Sequence, residues 1–98
     1  MYKPVILPLA KLDIQEAAKW YNERQTGLGK RFLTHIRETV YYIRKNPKAV
    51  AIRYNSVRTV LLNSFPYMIH FSVDDAQKKV VILAILHTAR NPKTWATR

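Results

Sequence analysis

Hydrophobic positions along this 98-residue chain change their period once, and the change separates a helical half from a β half. Val5–Leu7 is a short apolar run between Pro4 and Pro8 and reads as one short strand. From Leu9 to Gln25 the spacing is helical, with Ile14, Ala17, Ala18 and Tyr21 on one face at 3.6-residue intervals. Leu9 and Trp20 lie to one side of that stripe, so this helix is expected to bury more than one face. The small Ala17 and Ala18 would let another helix approach closely. Gly27-Leu28-Gly29 interrupts the pattern, and Gly27 is placed to take the left-handed conformation that commonly ends a helix. A second helix follows, with Phe32, Ile36, Val40 and Ile43 on one face and Lys30, Arg37, Arg44 and Lys45 away from it. Asn46-Pro47 stops it, because proline disfavours helical geometry in the residue before it. Two helices joined by so short a turn fold back as an antiparallel hairpin.

After Lys48 the period becomes 2. Val57–Leu62 is β-rich, Asn63-Ser64 is a turn, and Phe65, Tyr67, Ile69, Phe71 and Val73 alternate with Pro66, Met68, His70 and Ser72. Asp74-Asp75-Ala76-Gln77 is a polar hairpin loop. Val80–Leu86 is apolar on both faces, the mark of an interior strand covered on each side. Arg90-Asn91-Pro92-Lys93-Thr94-Trp95 fits a short terminal turn or helix with Pro92 at its start. The expected order is β-αα-βββ: one α+β domain over residues 1–98, a helical hairpin packed on an antiparallel sheet.

Charge alters this otherwise ordinary outline. Seventeen Lys and Arg face six Asp and Glu, a formal net charge of +11. Residues 1–50 carry +6 and residues 51–98 carry +5, so the positive field belongs to the folded body and not to a tail. Such a body attracts polyanions: nucleic acid, a ribosome or an acidic protein. There is no cysteine, which excludes disulfides and thiolate metal sites and suits a reducing compartment. The longest apolar run is far short of a membrane span, and Met1-Tyr2-Lys3-Pro4 lacks the apolar stretch of a secretory signal; a cytoplasmic protein with no membrane contact is expected.

Candidate chemistry is sparse. His35, His70 and His87 are far apart and carboxylates are few, so no metal and no cofactor is expected. Asp74 and Asp75 sit together in a hairpin loop, where solvated turn residues are the ordinary finding. A basic and aromatic set remains in the second half: Arg53, Tyr54, Arg58, Tyr67, His70, His87, Arg90 and Trp95. Arginine clamps phosphate bidentately, and a neighbouring His or Tyr can move a proton. These parts suit either a metal-free ribonuclease or a docking face. By strict alternation His87 shares a face with Val81, Leu83 and Ile85, and a half-buried histidine bonded to the following turn is as good a reading as a functional one. Trp95 fits a lid on the core better than a stacking platform. Arg58 and Arg90 are expected on the exposed face, without core partners.

Taken in order, Ala18-Lys19-Trp20-Tyr21, Gly27-Leu28-Gly29-Lys30-Arg31-Phe32 and Asn46-Pro47 resemble the helical hairpin of RelE/ParE-superfamily toxins. Val57-Arg58, Phe65-Pro66-Tyr67 with Ile69 and Phe71, and His87-Thr88-Ala89-Arg90-Asn91-Pro92 with Trp95 are similar to the strands and tail of its ParE-like branch. The resemblance implies the toxin of a type II toxin–antitoxin pair, neutralised by a cognate acidic antitoxin. In the family, RelE-like members cut messenger RNA on the ribosome without a metal, and ParE-like members inhibit DNA gyrase. Arg58 and Arg90 match basic active-site positions of the nuclease branch, whereas Val60, Tyr67 and Ala96 depart from the lysine, arginine and tyrosine expected there. For a nuclease the implied catalytic set is His87, Arg58, Arg90 and Tyr67; for target or antitoxin binding it is Arg53, Arg58, His70, Arg90 and Trp95.

Overall fold

The computed structural model describes residues 1–97, with only the backbone of Ala96 and Thr97; Arg98 lies outside the described residues. Strand β1 (Lys3–Ile6) leads into helices α1 (Pro8–Arg24) and α2 (Leu28–Lys45). Strands β2 (Ile52–Tyr54), β3 (Val57–Leu61), β4 (Tyr67–Asp74) and β5 (Lys79–His87) follow. Short 3-10 turns at Pro47–Ala49 and Pro92–Thr97 complete the chain. Pro8 opens α1, where its fixed φ is already helical and its missing N–H costs nothing.

The hairpin turn depends on both glycines. Gly27 has φ 89°, the left-handed conformation, one residue beyond the position expected of it, and it serves as the N-cap of α2. Gly29 sits where α2 meets α1: a Cβ there would lie 2.4 Å from the Ala18 carbonyl oxygen, so only glycine allows this approach. Phe32, Ile36, Val40 and Ile43 bury the inner face of α2 against Ile69, Phe71, Val80, Ile82 and Ile85 of the sheet. α1 buries only Ala10 and Ala17, and Leu9 and Trp20 are about half exposed; the expectation that α1 would cover a second face is therefore corrected. Arg44 ties the end of α2 to the N-terminus, its Nε donating to the Tyr2 carbonyl at 2.8 Å while the Tyr2 N–H donates to the Arg44 carbonyl at 3.0 Å.

The sheet has five strands in the order β1-β5-β4-β3-β2. β1 runs parallel to β5, from Lys3 opposite Lys79 to Ile6 opposite Ile82, and the other pairs are antiparallel. The expected antiparallel sheet is thus mixed. The hairpin carries the chain back across the sheet, which lets the first strand join the last in the same direction. β2 is an additional strand; three residues with Ile52 and Arg53 exposed leave no alternation to detect.

A β-bulge corrects the expected facing of β5. His70 pairs with Ala84 but Phe71 pairs with Ile82, so Leu83 is the extra residue. Val80 and Ile82 face the helices before the bulge, and Ile85 and His87 face them after it. His87 therefore shares its face with Val80, Ile82 and Ile85, not with Val81 and Leu83. The opposite face carries a small second core of Met68, Ala84, Leu86 and Trp95 with Tyr54 against it.

Candidate functional site

β1 ends at Ile6, its last link to β5 being the Leu7 N–H donated to the Ile82 carbonyl at 3.1 Å. Beyond that point, among the described residues, no strand lies beside the outer edge of β5. Asp13 of α1 caps it, its Oδ2 accepting the Ile85 N–H at 3.0 Å. A cleft of about 660 Å³ opens here between α1 and the ends of β4 and β5. α1 contributes Asp13, Glu16, Ala17, Trp20 and Tyr21, while Tyr67, His87 and Arg90 stand opposite. Positions 13, 16, 17 and 20 follow i, i+3, i+4, i+7 spacing, so one helix face supplies that wall.

The cleft has an aromatic floor. Tyr21 meets Phe65 edge-on at 4.9 Å and lies 6.1 Å from Tyr67. Tyr67 meets the His87 ring edge-on at 5.2 Å. Trp20, at the rim, is 48% exposed and carries the Arg24 guanidinium 3.6 Å over its ring. Burial lifts the Tyr67 hydroxyl above the ordinary phenol value; Arg90 draws it back and Asp13 adds to the rise. At neutral pH Tyr67 is a protonated hydrogen-bond donor. His87 is exposed, with Nδ1 accepting the Ala89 N–H at 3.0 Å and its carbonyl accepting the Arg90 N–H at 3.0 Å. The ring is bonded to the following turn, as one of the two readings of the sequence has it, but it is exposed and not half-buried. In the neutral tautomer this places the ring proton on Nε2, the atom left to reach a ligand.

The structure divides the candidate residues into three places. Tyr67, His87 and Arg90 share the cleft. Arg53, Tyr54, His70 and Trp95 form a cluster on the opposite face of the sheet. There His70 is fully buried, its Nδ1 shares a 3.0 Å hydrogen bond with the Tyr54 hydroxyl, and Trp95 lies 4.8 Å away, 5% exposed. Arg53 covers the Trp95 ring at 5.2 Å. His70 and Trp95, expected in the binding set, are both buried, and Trp95 lies as a lid on the small second core. Arg58 joins neither group. Its Nη1 donates to the carbonyls of Val50 and Lys48, latching the turn after α2 onto β3, so its expected freedom from core partners is corrected. The side chain of Ala96 lies outside the described residues.

Sequence reasoning missed Asp13, Glu16, Trp20 and Tyr21 as parts of the site. The signal was present in two carboxylates and an indole along one flank of α1, in a chain with six acidic residues. Among the described residues no group of three His, Asp or Glu side chains is placed to hold a metal, and no helix is long and apolar enough to cross a membrane.

The arrangement is similar to known proteins. A chromosomal ParDE toxin–antitoxin system from P. aeruginosa superposes with TM-score 0.77 at 22% identity, over 89% of this chain and 96% of that one. The toxin–antitoxin complex RelBE2 from Mycobacterium tuberculosis gives 0.65 at 19% identity, over 88% and 96%. The isolated E. coli RelE toxin gives 0.61 at 13% identity, over 99% and 95%. These likenesses show a shared fold. No curated protein matches the chain by sequence. The family model for the ParE toxin of type II toxin–antitoxin systems (parDE) matches residues 5–92. This chain therefore belongs to the ParE toxin family, as a ParE-like toxin of a type II toxin–antitoxin system.

Proposed function

We propose that this toxin acts in the cytoplasm by binding a nucleic-acid-processing enzyme of the DNA gyrase class, and that a cognate acidic antitoxin neutralises it. The carrying observation is the make-up of the cleft. Asp13 and Glu16 line the same space as Tyr67, His87 and Arg90. Cleavage of a phosphodiester builds negative charge in the transition state, and carboxylates oppose that charge. Arg58, which a nuclease would need beside Arg90, is committed to backbone carbonyls elsewhere. What remains is an aromatic cleft with the half-exposed Leu9, Leu12 and Trp20 along the same helix, a composition suited to docking protein.

The net charge of +11 supports an acidic antitoxin, and the ParDE and RelBE2 structures of the same fold are toxin–antitoxin assemblies. A second reading, a ribosome-dependent endoribonuclease acting on mRNA, is favoured by one observation, the meeting of Tyr67, His87 and Arg90 in one cleft. Induction without antitoxin separates the two. The proposal expects filamentation and a DNA-damage response with messages intact; rapid loss of translation with cut messages would establish the nuclease instead.

A further inference from the structure

The outward face of α2 bears a row of side chains that neither the core nor the cleft uses. Lys30, Thr34, Arg37, Tyr41 and Lys45 are all exposed and, at helical spacing, lie in one stripe. The three cations are separated by seven and eight residues, roughly 10–12 Å along the axis. Elsewhere the charge is partly committed: Arg44 and Arg58 donate to backbone carbonyls, Lys48 pairs with Asp75 at 3.0 Å, and Arg24 lies over Trp20. Lys45 lies 4.6 Å over the Tyr41 ring, which holds it along the row. Glu38 is the one acidic residue of α2.

We infer that this row is a docking surface for the phosphate backbone of duplex DNA. The alternative occupant, an acidic protein segment, suits it poorly. Protein interfaces bury an apolar centre and are depleted in lysine, and this stripe has no aliphatic side chain. Duplex DNA needs neither shape complementarity nor an apolar centre, only cations spaced along a line of regularly placed negative charge. Lysine serves there as a point-charge contact and arginine as a fork. The contact would be independent of sequence, and it goes beyond the proposed action on a topoisomerase. It is measured on the toxin alone, so its failure leaves that action untouched.

The test is anisotropy titration of an unrelated ~30-base-pair duplex with purified toxin across a salt series. The triple variant Lys30→Gln/Arg37→Gln/Lys45→Gln is compared with the control Lys3→Gln/Lys79→Gln/Lys93→Gln, which removes equal charge away from α2. The α2 variant should lose about three units of salt slope, and roughly tenfold in affinity per charge at ~50 mM salt, with its melting temperature unchanged. The control should lose much less. An equal loss in both would mean diffuse attraction and overturn the surface. So would no binding by the wild type at ~50 mM salt, or an α2 variant that loses a poly-glutamate probe while keeping DNA.

Discussion

The guanidinium of Arg58 and the ring of His87 both looked functional in the sequence, and the structure gives them different local duties. Arg58 satisfies the carbonyls of Lys48 and Val50 where the chain leaves α2. Charge-assisted bonds of this kind contribute about 1.5–3 kcal/mol when buried, and this one is partly buried. Arg58→Ala should therefore lower unfolding stability by about 1–2 kcal/mol in denaturant titration; a change within error would return Arg58 to the exposed functional set. His87 donates nothing to the core and accepts one amide. His87→Gln should cost about 0.5–1.5 kcal/mol and leave most growth inhibition in place. Full colony survival on induction, at expression matched to wild type and together with message cleavage by the wild-type protein, would identify His87 as a proton-transfer group. Asp75 shows a titration effect. Its carboxylate accepts from the Tyr2 hydroxyl at 2.7 Å and from Lys48 at 3.0 Å, and these bonds, Tyr2 first, hold its pKa below the ordinary carboxylate value. A depressed folded value gives stability that is present above the unfolded pKa and is lost as pH falls through the folded one. Wild type should melt above Asp75→Asn at neutral pH, with the gap closing in acid. A gap that stays constant from neutral to acid pH would contradict the clamp.

Among the elements, the helical hairpin depends most sharply on single residues. Gly29→Ala forces a methyl against the Ala18 backbone, which cannot retreat as a flexible side chain would. Overpacking of this kind costs about 1–3 kcal/mol, and the variant should show it in thermal unfolding; a stable Gly29→Ala protein would mean that the helices separate freely. Both helices were legible in the sequence because Phe32, Ile36, Val40 and Ile43 repeat at the helical period and Gly27 and Pro47 mark the breaks. β4 and β5 were legible by alternation. β2 was not, because three residues on an edge bury too little to impose a pattern. The facing of His87 failed for another reason: alternation assumes an unbroken ladder, and the extra residue at Leu83 is fixed by pairing with a strand distant in sequence. The site was half legible. Tyr67, His87 and Arg90 stood out as chemistry, but the α1 wall that gives the cleft its character joins them through long-range contacts such as Asp13 to Ile85, 72 residues away, and Tyr21 to Tyr67.

At the scale of the molecule, the charge and the cleft both bear on the proposed partners. On the proposed reading the positive surface would draw an acidic antitoxin from a distance, and the apolar stripe of α1 would give it an anchor. Trp20 is exposed, so Trp20→Ala should leave stability nearly unchanged. It should weaken antitoxin binding by about 2 kcal/mol or more, as a central aromatic anchor does, which calorimetry would read as roughly thirtyfold. Unchanged affinity would move the antitoxin off α1. The same cleft carries the central proposal, that the toxin disables an enzyme by docking and does not cut RNA. Its most direct test is a supercoiling assay with purified toxin, purified gyrase and relaxed plasmid, run beside a ribosome programmed with labelled message. The account predicts that supercoiling falls in proportion to toxin while the message stays whole. Undiminished supercoiling together with message cleavage would contradict it.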